Sequence, residues 1–410
     1  MRRIEPGLKL WSTDMRHAAE AGELVQRGIF AYVELFAVPG SFQETIPNWR
    51  NLRIPFVIHA AHSMKGLNPA KRELRASNRI LADEAKSFAD ALSADRIVFH
   101  PGVGGDVEES VFQLRGFSDS RILVENKPRV GLDGSICVGW SPGEMRELLL
   151  GTGYGFCLDF GHAHCAAVSA GEDPVRFIRE LADLKPALFH MTDGKAESVT
   201  DRHDRYGYGD LPLSFFLSLI PDGARITNEG GRSIPDSLAE SEEDAAMLAA
   251  VDLFSQETAG MEMKRARPDD VESVFGLSND PEVRAASFSS QPIPYADHVS
   301  WYSRQLEDED VRFFVFYHDK DLVGQIRFRC EAEPVFTVSV SVSKSFRGSG
   351  CARPMMRASL LALAGIRGEK RVHAFIKSEN TASIRYFESL GFLQGGEKAD
   401  LDRILYERDC

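Results

Sequence analysis

The feature that most constrains this chain is a series of eight short apolar runs within its first 230 residues. They are "GLKLWS" (7–12), "AYVELF" (31–36), "IPFVIHA" (54–60), "RIVFHPG" (96–102), "RILVENK" (121–127), "GFCLDFGH" (155–162), "ALFHMTD" (187–193) and "ARITNEG" (224–230). Each is continuous in apolar residues rather than alternating, as strands buried on both faces are. Amphipathic stretches such as "NRILADEAKSFADALSA" (78–94) and "DPVRFIRELADL" (173–184) lie between most of them. Strand and helix repeating eight times over about 250 residues predict a closed parallel (β/α)8 barrel, the TIM-barrel architecture. The acidic helical stretch 235–256 would close it, and "ETAGMEM" reads as a linker.

At 410 residues the chain is too long for one ordinary core. A second α/β pattern starts at Met261. It runs through helices "PDDVESVFGLSND" and "YADHVSWYSRQL", then strands "RFFVFYHD", "LVGQIRFRCE" and "VFTVSVSVS". A helix, strand "RVHAFIK", helix "NTASIRYFESLG" and a final strand complete it. The predicted domains are therefore 1–256 and 257–410, α/β throughout.

Composition narrows the function classes. Hydrophobic content of 43% and charged content of 27% are those of a soluble globular protein. No apolar run approaches the ~20 residues that cross a bilayer, and the N-terminus lacks the apolar core of a secretory signal. A cytoplasmic location without membrane partners is the expectation. The cysteines (Cys137, Cys157, Cys165, Cys330, Cys351 and Cys410) show neither CxxC nor framework spacing and read as free thiols. A net charge of −13 offers no overall attraction to nucleic acid.

Barrels of this type place their chemistry at the C-terminal ends of the strands. Strand three ends in His59, strand four in His100 and strand five in Glu125. Strand six ends in Asp159 with His162 just after, and strand seven in His190, its loop carrying Asp201 and His203. Strand eight ends in Glu229. One such residue alone is ordinarily a hydrogen-bonded structural group. Six consecutive strands presenting them at one mouth would suffer repulsion and desolvation unless cations compensate. Imidazoles beside carboxylates form a donor set suited to Zn²⁺, Mn²⁺ or Fe²⁺. Glu34, ending strand two, reads as a general base or a carboxylate at the rim of the core. His62, His164 and Asp204 fall off the strand-end pattern.

The stretches "VIHAAHSMKGLNPA", "RIVFHPG", "ILVENKP", "CLDFGHAHCAA", "LFHMTDG", "DRHDRYGYGD" and "ITNEGG" together resemble the xylose isomerase-like superfamily. Within it they are most similar to the apurinic endonuclease type 2 (endonuclease IV) family, across nearly all of residues 50–230. The resemblance implies a cluster of up to three zinc ions. One would sit on His59, His100 and Glu125. A second would sit on Glu125, Asp159, His190 and Glu229, and a third on His162, Asp201 and His203. Such clusters hydrolyse phosphodiesters by activating water and holding the phosphate. Two departures weaken DNA as the substrate. Ala60, Ala61, His62 and Ser63 stand where the family carries bulky side chains that push into the DNA stack, and Tyr208 stands where it has an acid. A small phosphorylated or nucleotide-linked sugar fits the same mouth. Sugar isomerases and epimerases of the superfamily use fewer metals and a glutamate pair, which here would be Glu125 and Glu229.

In the second pattern, "VSVSVSKSFRGSGCARPMMRASL" takes a strand into Arg347-Gly348-Ser349-Gly350-Cys351-Ala352 and then a helix. Glycines let backbone amides point at an anion, and the helix N-terminus adds its dipole; an ordinary tight strand–helix turn is the plainer reading. "NTASIRYFESLGF" follows, with Asn380, Ser383 and Tyr386 at helical spacing on one face. Together these resemble the GCN5-related N-acetyltransferase (GNAT) family over residues 261–410. The resemblance implies acetyl-CoA along strand 336–343, including Val340 and Val342, with its pyrophosphate on the amides from Arg347 to Ala352. Asn380, with Ser383, would hold the pantetheine arm or a water, and Tyr386 would protonate the leaving thiolate. A core aromatic is the alternative for Tyr386. The opening "SNDPEVRAASFSSQPIPYADHVSWYSRQL" resembles the acetyltransferases of nonulosonic (pseudaminic-type) acid biosynthesis, which act on a nucleotide-linked amino sugar. Asn279, Arg284, Ser287, His298 and Trp301 carry that match, and Glu331 and Glu333 are candidate bases. The expectation is a bifunctional enzyme of surface-glycan biosynthesis; the alternative is an apurinic-site endonuclease fused to an acetyltransferase.

Overall fold

The computed structural model describes residues 4–395 and 403–410. It divides into two compact units. One comprises the chain through Leu211 together with Phe215–Ala245, and the other comprises Pro212–Ser214 and Ala246–Cys410.

In the first unit, β1 (Glu5–Trp11), β2 (Tyr32–Phe36), β3 (Phe56–His59), β4 (Ile97–Phe99), β5 (Ile122–Glu125), β6 (Gly155–Asp159), β7 (Leu188–Met191) and β8 (Arg225–Asn228) pair in parallel, in chain order. β1 also pairs with β8, so the sheet closes into a barrel. Alternate residues of a strand face the same side, and the register follows that rule around the ring. Tyr32, Val57, Val98, Leu123, Cys157 and Leu188, from six successive strands, form one buried apolar cluster inside the barrel. Gly7 belongs to the same layer. A Cβ there would overlap the Tyr32 ring, so the ring fills the space that β1 leaves open. Two residues further along each strand stand Lys9, Glu34, His59, His100, Glu125, Asp159 and His190, and Glu229 lies two beyond Thr227. The polar mouth is thus the next interior layer above an apolar floor. β4 and β8 stop one residue short of His100 and Glu229, which begin the following loops.

The second unit is a seven-stranded sheet in the order β14-β15-β13-β12-β11-β10-β9. Its strands are β9 (Met261–Arg265), β10 (Val311–His318), β11 (Asp321–Ala332), β12 (Val335–Val342), β13 (Arg371–Lys377), β14 (Leu393–Gln394) and β15 (Arg403–Asp409). Two sequence expectations are corrected here. Met261–Arg265, placed partly in a linker, is a strand antiparallel to β10, and the single final strand is two short ones, β14 and β15. β12 and β13 are parallel neighbours, paired only through Val335–Thr337 and Arg371–His373. Beyond Thr337 the two strands share no ladder, which opens the sheet along Val338–Val342.

Candidate active sites

At the barrel mouth, Glu125 is the common neighbour. Its Oε2 lies 3.1 Å from His59 Nε2, 3.1 Å from His100 Nε2 and 3.4 Å from His190 Nδ1, and its Oε1 lies 3.0 Å from His162 Nδ1. His190 Nδ1 is 2.9 Å from Glu229 Oε1. His162 Nε2 is 3.3 Å from Asp201 Oδ2, which is 2.5 Å from His203 Nε2. The sets whose donor atoms converge within 4.8 Å include His59/His100/Glu125 and His162/Asp201/His203, two of the three expected. Around His190 the convergent sets are Glu34/His59/His190/Glu229 and Glu125/Cys157/His190, and Asp159 groups with Glu125 and His162. The expected quartet of Glu125, Asp159, His190 and Glu229 is not itself one of these sets.

The donor atoms have the orientation that metal ligands take. His59, His162 and His203 each place Nδ1 against a backbone carbonyl, of Ala60 (2.8 Å), Asn126 (2.9 Å) and Glu229 (2.8 Å), so Nε2 is left for the cluster. His190 sets Nε2 2.9 Å from Glu34 Oε2 and turns Nδ1 inward. Holding the outer ring nitrogen in this way fixes which nitrogen can coordinate. Glu34, itself bound by the Thr227 hydroxyl at 2.5 Å, therefore orients His190. Asp159 Oδ1 accepts from the His162 amide and caps the helix Phe160–Ala170, leaving Oδ2 pointed at the mouth. Asp159 Oδ2 is buried without a hydrogen-bond partner, while His190 Nδ1 and Asp201 Oδ2 face the neighbouring donor atoms of the mouth; gathering so many buried carboxylate and imidazole atoms costs free energy unless a cation satisfies them. Several of the donor separations match the edge of about 3.3 Å of a tetrahedron with metal–ligand bonds near 2.0–2.1 Å. The residues present fit a divalent-metal cluster.

The charges pull the protonation states apart. Burial disfavours the imidazolium of His203, but Asp201 beside it raises it to about 9. Burial raises Asp159 to about 6, with His162 opposing and the carboxylates of Asp201, Glu229 and Glu125 reinforcing. Burial and then Lys127 hold His100 well below its usual range. Burial would raise Glu34, but His190 and Lys9 bring it down to about 2. Among the candidates off the strand-end pattern, His62 lines the cavity and is lowered to about 4 by burial and by His59. His164 instead faces the Ala196 carbonyl at 2.9 Å.

Sequence reasoning missed Lys9. It reaches the mouth from β1, 2.6 Å from both Glu34 Oε1 and Glu229 Oε1. The strand period held the signal: Lys9 is two residues after Gly7, in the layer of the other mouth residues. The loop after β7 is shaped by Asp193. Its carboxylate accepts from the amides of Gly194, Gly207, Gly209 and Leu211, at 2.8–3.2 Å. A side chain at Gly209 would overlap that carboxylate and the Gly194 backbone. Arg205 ties the same loop to Glu240, Glu243 and Asp244. Above the cluster lies a cavity of 670 Å³, bordered on one side by Trp11, Phe36, Met64, Val130 and Leu132.

In the second unit, the loop after β12 holds Gly348 at φ +77° and Gly350 at φ +88°, with open space where a Cβ would stand. The requirement for glycine there is conformational. Cys351 stands at the N-cap position of the helix Ala352–Ala364 without a side-chain cap, so the first amides of the helix have no intrahelical acceptor. Val340 and Val342 lie where β12 is paired to β11 but not to β13, and are half-buried. The Arg347 side chain is held by Asp280 (2.6 Å) and Glu282 (2.9 Å), so only its backbone is available to an anion. Asn380 Oδ1 caps the helix Thr381–Ser389 by accepting from the Ser383 amide at 3.1 Å. Tyr386 donates its hydroxyl to Ala352 O at 2.8 Å, next to the glycine loop, and burial raises its pKa. The residues matched to the sugar side make internal bonds. Asn279 clasps the Ile293 backbone through both amide atoms, and Arg284 holds the Ser287 hydroxyl and the Ser289 carbonyl. His298 is buried against Trp301 and Tyr302, and Arg327 lies over the Trp301 ring. Glu331 and Glu333 are exposed.

With a strand opening beside a glycine loop and a helix N-terminus, the second unit has the features of a GNAT acetyltransferase domain, a class that implies acetyl-CoA, and its sequence agrees. Residues 261–393 match the family model described as "Acetyltransferase (GNAT) domain". Over 137 residues, 33% of this chain and 77% of the relative, the chain is 27% identical to the SPbeta prophage-derived uncharacterized N-acetyltransferase YokL of Bacillus subtilis (strain 168). It is also similar to a solved spermidine N-acetyltransferase from Vibrio cholerae in complex with CoA and spermine (16% identity, 37% of this chain and 96% of that one, TM-score 0.34). Another similar structure is that of a D-tagatose 3-epimerase-like protein (20% identity, 58% of this chain and 94% of that one, TM-score 0.46). No helix among the described residues is long and apolar enough to cross a membrane.

Proposed function

We propose a bifunctional enzyme with catalytic domains at 1–256 and 257–410, acting in the cytoplasm on amino-sugar intermediates of surface-glycan synthesis. The C-terminal domain would transfer acetyl from acetyl-CoA to the amine of a sugar, nucleotide-linked in the fullest form of the reading. The N-terminal barrel would be a metal-dependent hydrolase of a phosphorylated sugar. The observation that carries the barrel reading is the convergence of His59, His100 and Glu125, and of His162, Asp201 and His203, on one 670 Å³ cavity that all six line. Bound divalent ions there would supply Lewis acidity and lower the pKa of a water. The chain's own residues would do the rest. The imidazoles of His59, His162, His190 and His203 would present fixed nitrogens, His100 would add a fifth, Glu125 would join two sites, and Trp11 and Leu132 would give the substrate an apolar face at the rim of the cavity.

Metal content together with phosphate release from a survey of phosphorylated sugars tests the barrel reading. Robust cleavage of abasic duplex DNA in place of sugar phosphates would replace it with the endonuclease reading. Glu125 and Glu229 flank His190 at 3.4 and 2.9 Å, which favours a second reading, isomerisation or epimerisation by a glutamate pair. That reaction would wash a carbon-bound deuterium into water without releasing phosphate. For the acetyltransferase, thiol release with amino-sugar nucleotides is the test. Turnover on peptide amines or polyamines alone would overturn the sugar assignment.

A further inference from the structure

The ammonium of Lys9 stands inside the proposed metal cluster. It lies 2.6 Å from Glu229 Oε1, the same oxygen that is 2.9 Å from His190 Nδ1. One carboxylate oxygen therefore faces both a fixed positive charge and the imidazole nitrogen turned inward for a metal. Lys9 is anchored from its other side as well. Glu34 Oε1 holds it at 2.6 Å, and Glu34 is itself fixed by Thr227 and His190. Among the described residues, the other lysine lining the cavity is differently placed. Lys127 is 3.3 Å from His162 Nε2 and 4.0 Å from Glu125 Oε1, with no carboxylate holding it as closely as Lys9 is held, so it can swing aside when an ion binds.

We propose that Lys9 is a resident cation that competes with the middle metal ion for Glu229. The cluster then binds two divalent ions tightly, at His59/His100/Glu125 and His162/Asp201/His203, and a third at least tenfold more weakly. The inference rests on the metal reading of the barrel. An ion on Glu229 Oε1 would sit about 2.1 Å from that oxygen, a few ångströms from the lysine nitrogen. Like charges at that spacing repel strongly where water is scarce. Lys9 would also supply positive charge to the mouth where the middle ion is absent, so five carboxylates are never left wholly uncompensated.

The test is equilibrium dialysis of the metal-stripped full chain against Zn²⁺ and, separately, Mn²⁺, with elemental analysis, for the wild type, Lys9→Met and Lys9→Arg. Two tight ions and a third at least tenfold weaker are expected in the wild type. Lys9→Met should strengthen the third at least tenfold, and Lys9→Arg, which keeps the charge, should not. Three ions of similar affinity in the wild type, or fewer than two tight ones, overturn the proposal while leaving a metal enzyme standing. An unchanged third ion in folded Lys9→Met also overturns it. A wild type that binds no ion defeats the metal reading and this inference together. Where Lys9→Met fails to fold, Lys9→Gln, which also removes the charge, is read in its place against the same expectation.

Discussion

Glu125 touches four imidazoles, so its charge organises the mouth more than that of any single histidine. Glu125→Gln keeps the volume and removes the charge. We expect it to lower the bound metal by at least one equivalent, read by elemental analysis of folded protein; unchanged metal content would show that Glu125 does not bridge. The histidines set the pH dependence. A ligand imidazole must lose its proton to bind a metal, and Asp201 holds the His203 proton on up to about 9 in the metal-free protein. Metal affinity should therefore rise with pH from 6 towards 9, with proton release on binding. A flat affinity across that range would remove His203 from the ligand set. In the other unit, Tyr386 is held by one hydrogen bond to Ala352 O. Tyr386→Phe should lower the acetyl-transfer kcat about a hundredfold if the hydroxyl is the acid, while the lost hydrogen bond costs only about 1 kcal/mol of stability. An unchanged kcat would leave Tyr386 as a packing residue.

The loop after β7 is an element whose shape depends on one buried carboxylate. Four backbone amides converge on Asp193, and burial still raises it to about 6. Asp193→Ala would leave those amides without an acceptor, at about 1–3 kcal/mol for each one that stays dry. The loop carries Asp201 and His203, so we expect loss of the ion held with His162 and retention of the ion on His59, His100 and Glu125. Loss of both would mean that the loop supports the whole mouth. Other elements divide into those a sequence pattern reveals and those it hides. The barrel strands announce themselves because each is a continuous apolar run. β9 did not, because "MEMKR" is short and half charged and takes its strand conformation from pairing with β10.

At the scale of the molecule, the two units are proposed to carry two chemistries, and only the barrel's is expected to need a metal. Chelation should abolish turnover by the barrel and lower its melting temperature, while thiol release by the acetyltransferase is unchanged. Loss of both activities on chelation would contradict the division. The sequence by itself determined the eight-stranded barrel, the polar residue closing each of strands three to eight, and the glycine loop of the acetyltransferase, because local periodicity and residue type encode these. It also held residue types at the mouth, since His59, His100, Glu125, Asp159 and His190 each sit two residues beyond an apolar core position. Only the tertiary structure decided which nitrogens face inward, that Glu34 orients His190, and that Asn279 and Arg284 brace their own loop. Lys9 shows the reason most plainly. A lysine in a strand reads locally as a break in an apolar run, and its partner Glu229 is 220 residues away in sequence. Barrel closure, which sets β1 beside β8, brings the two charges together.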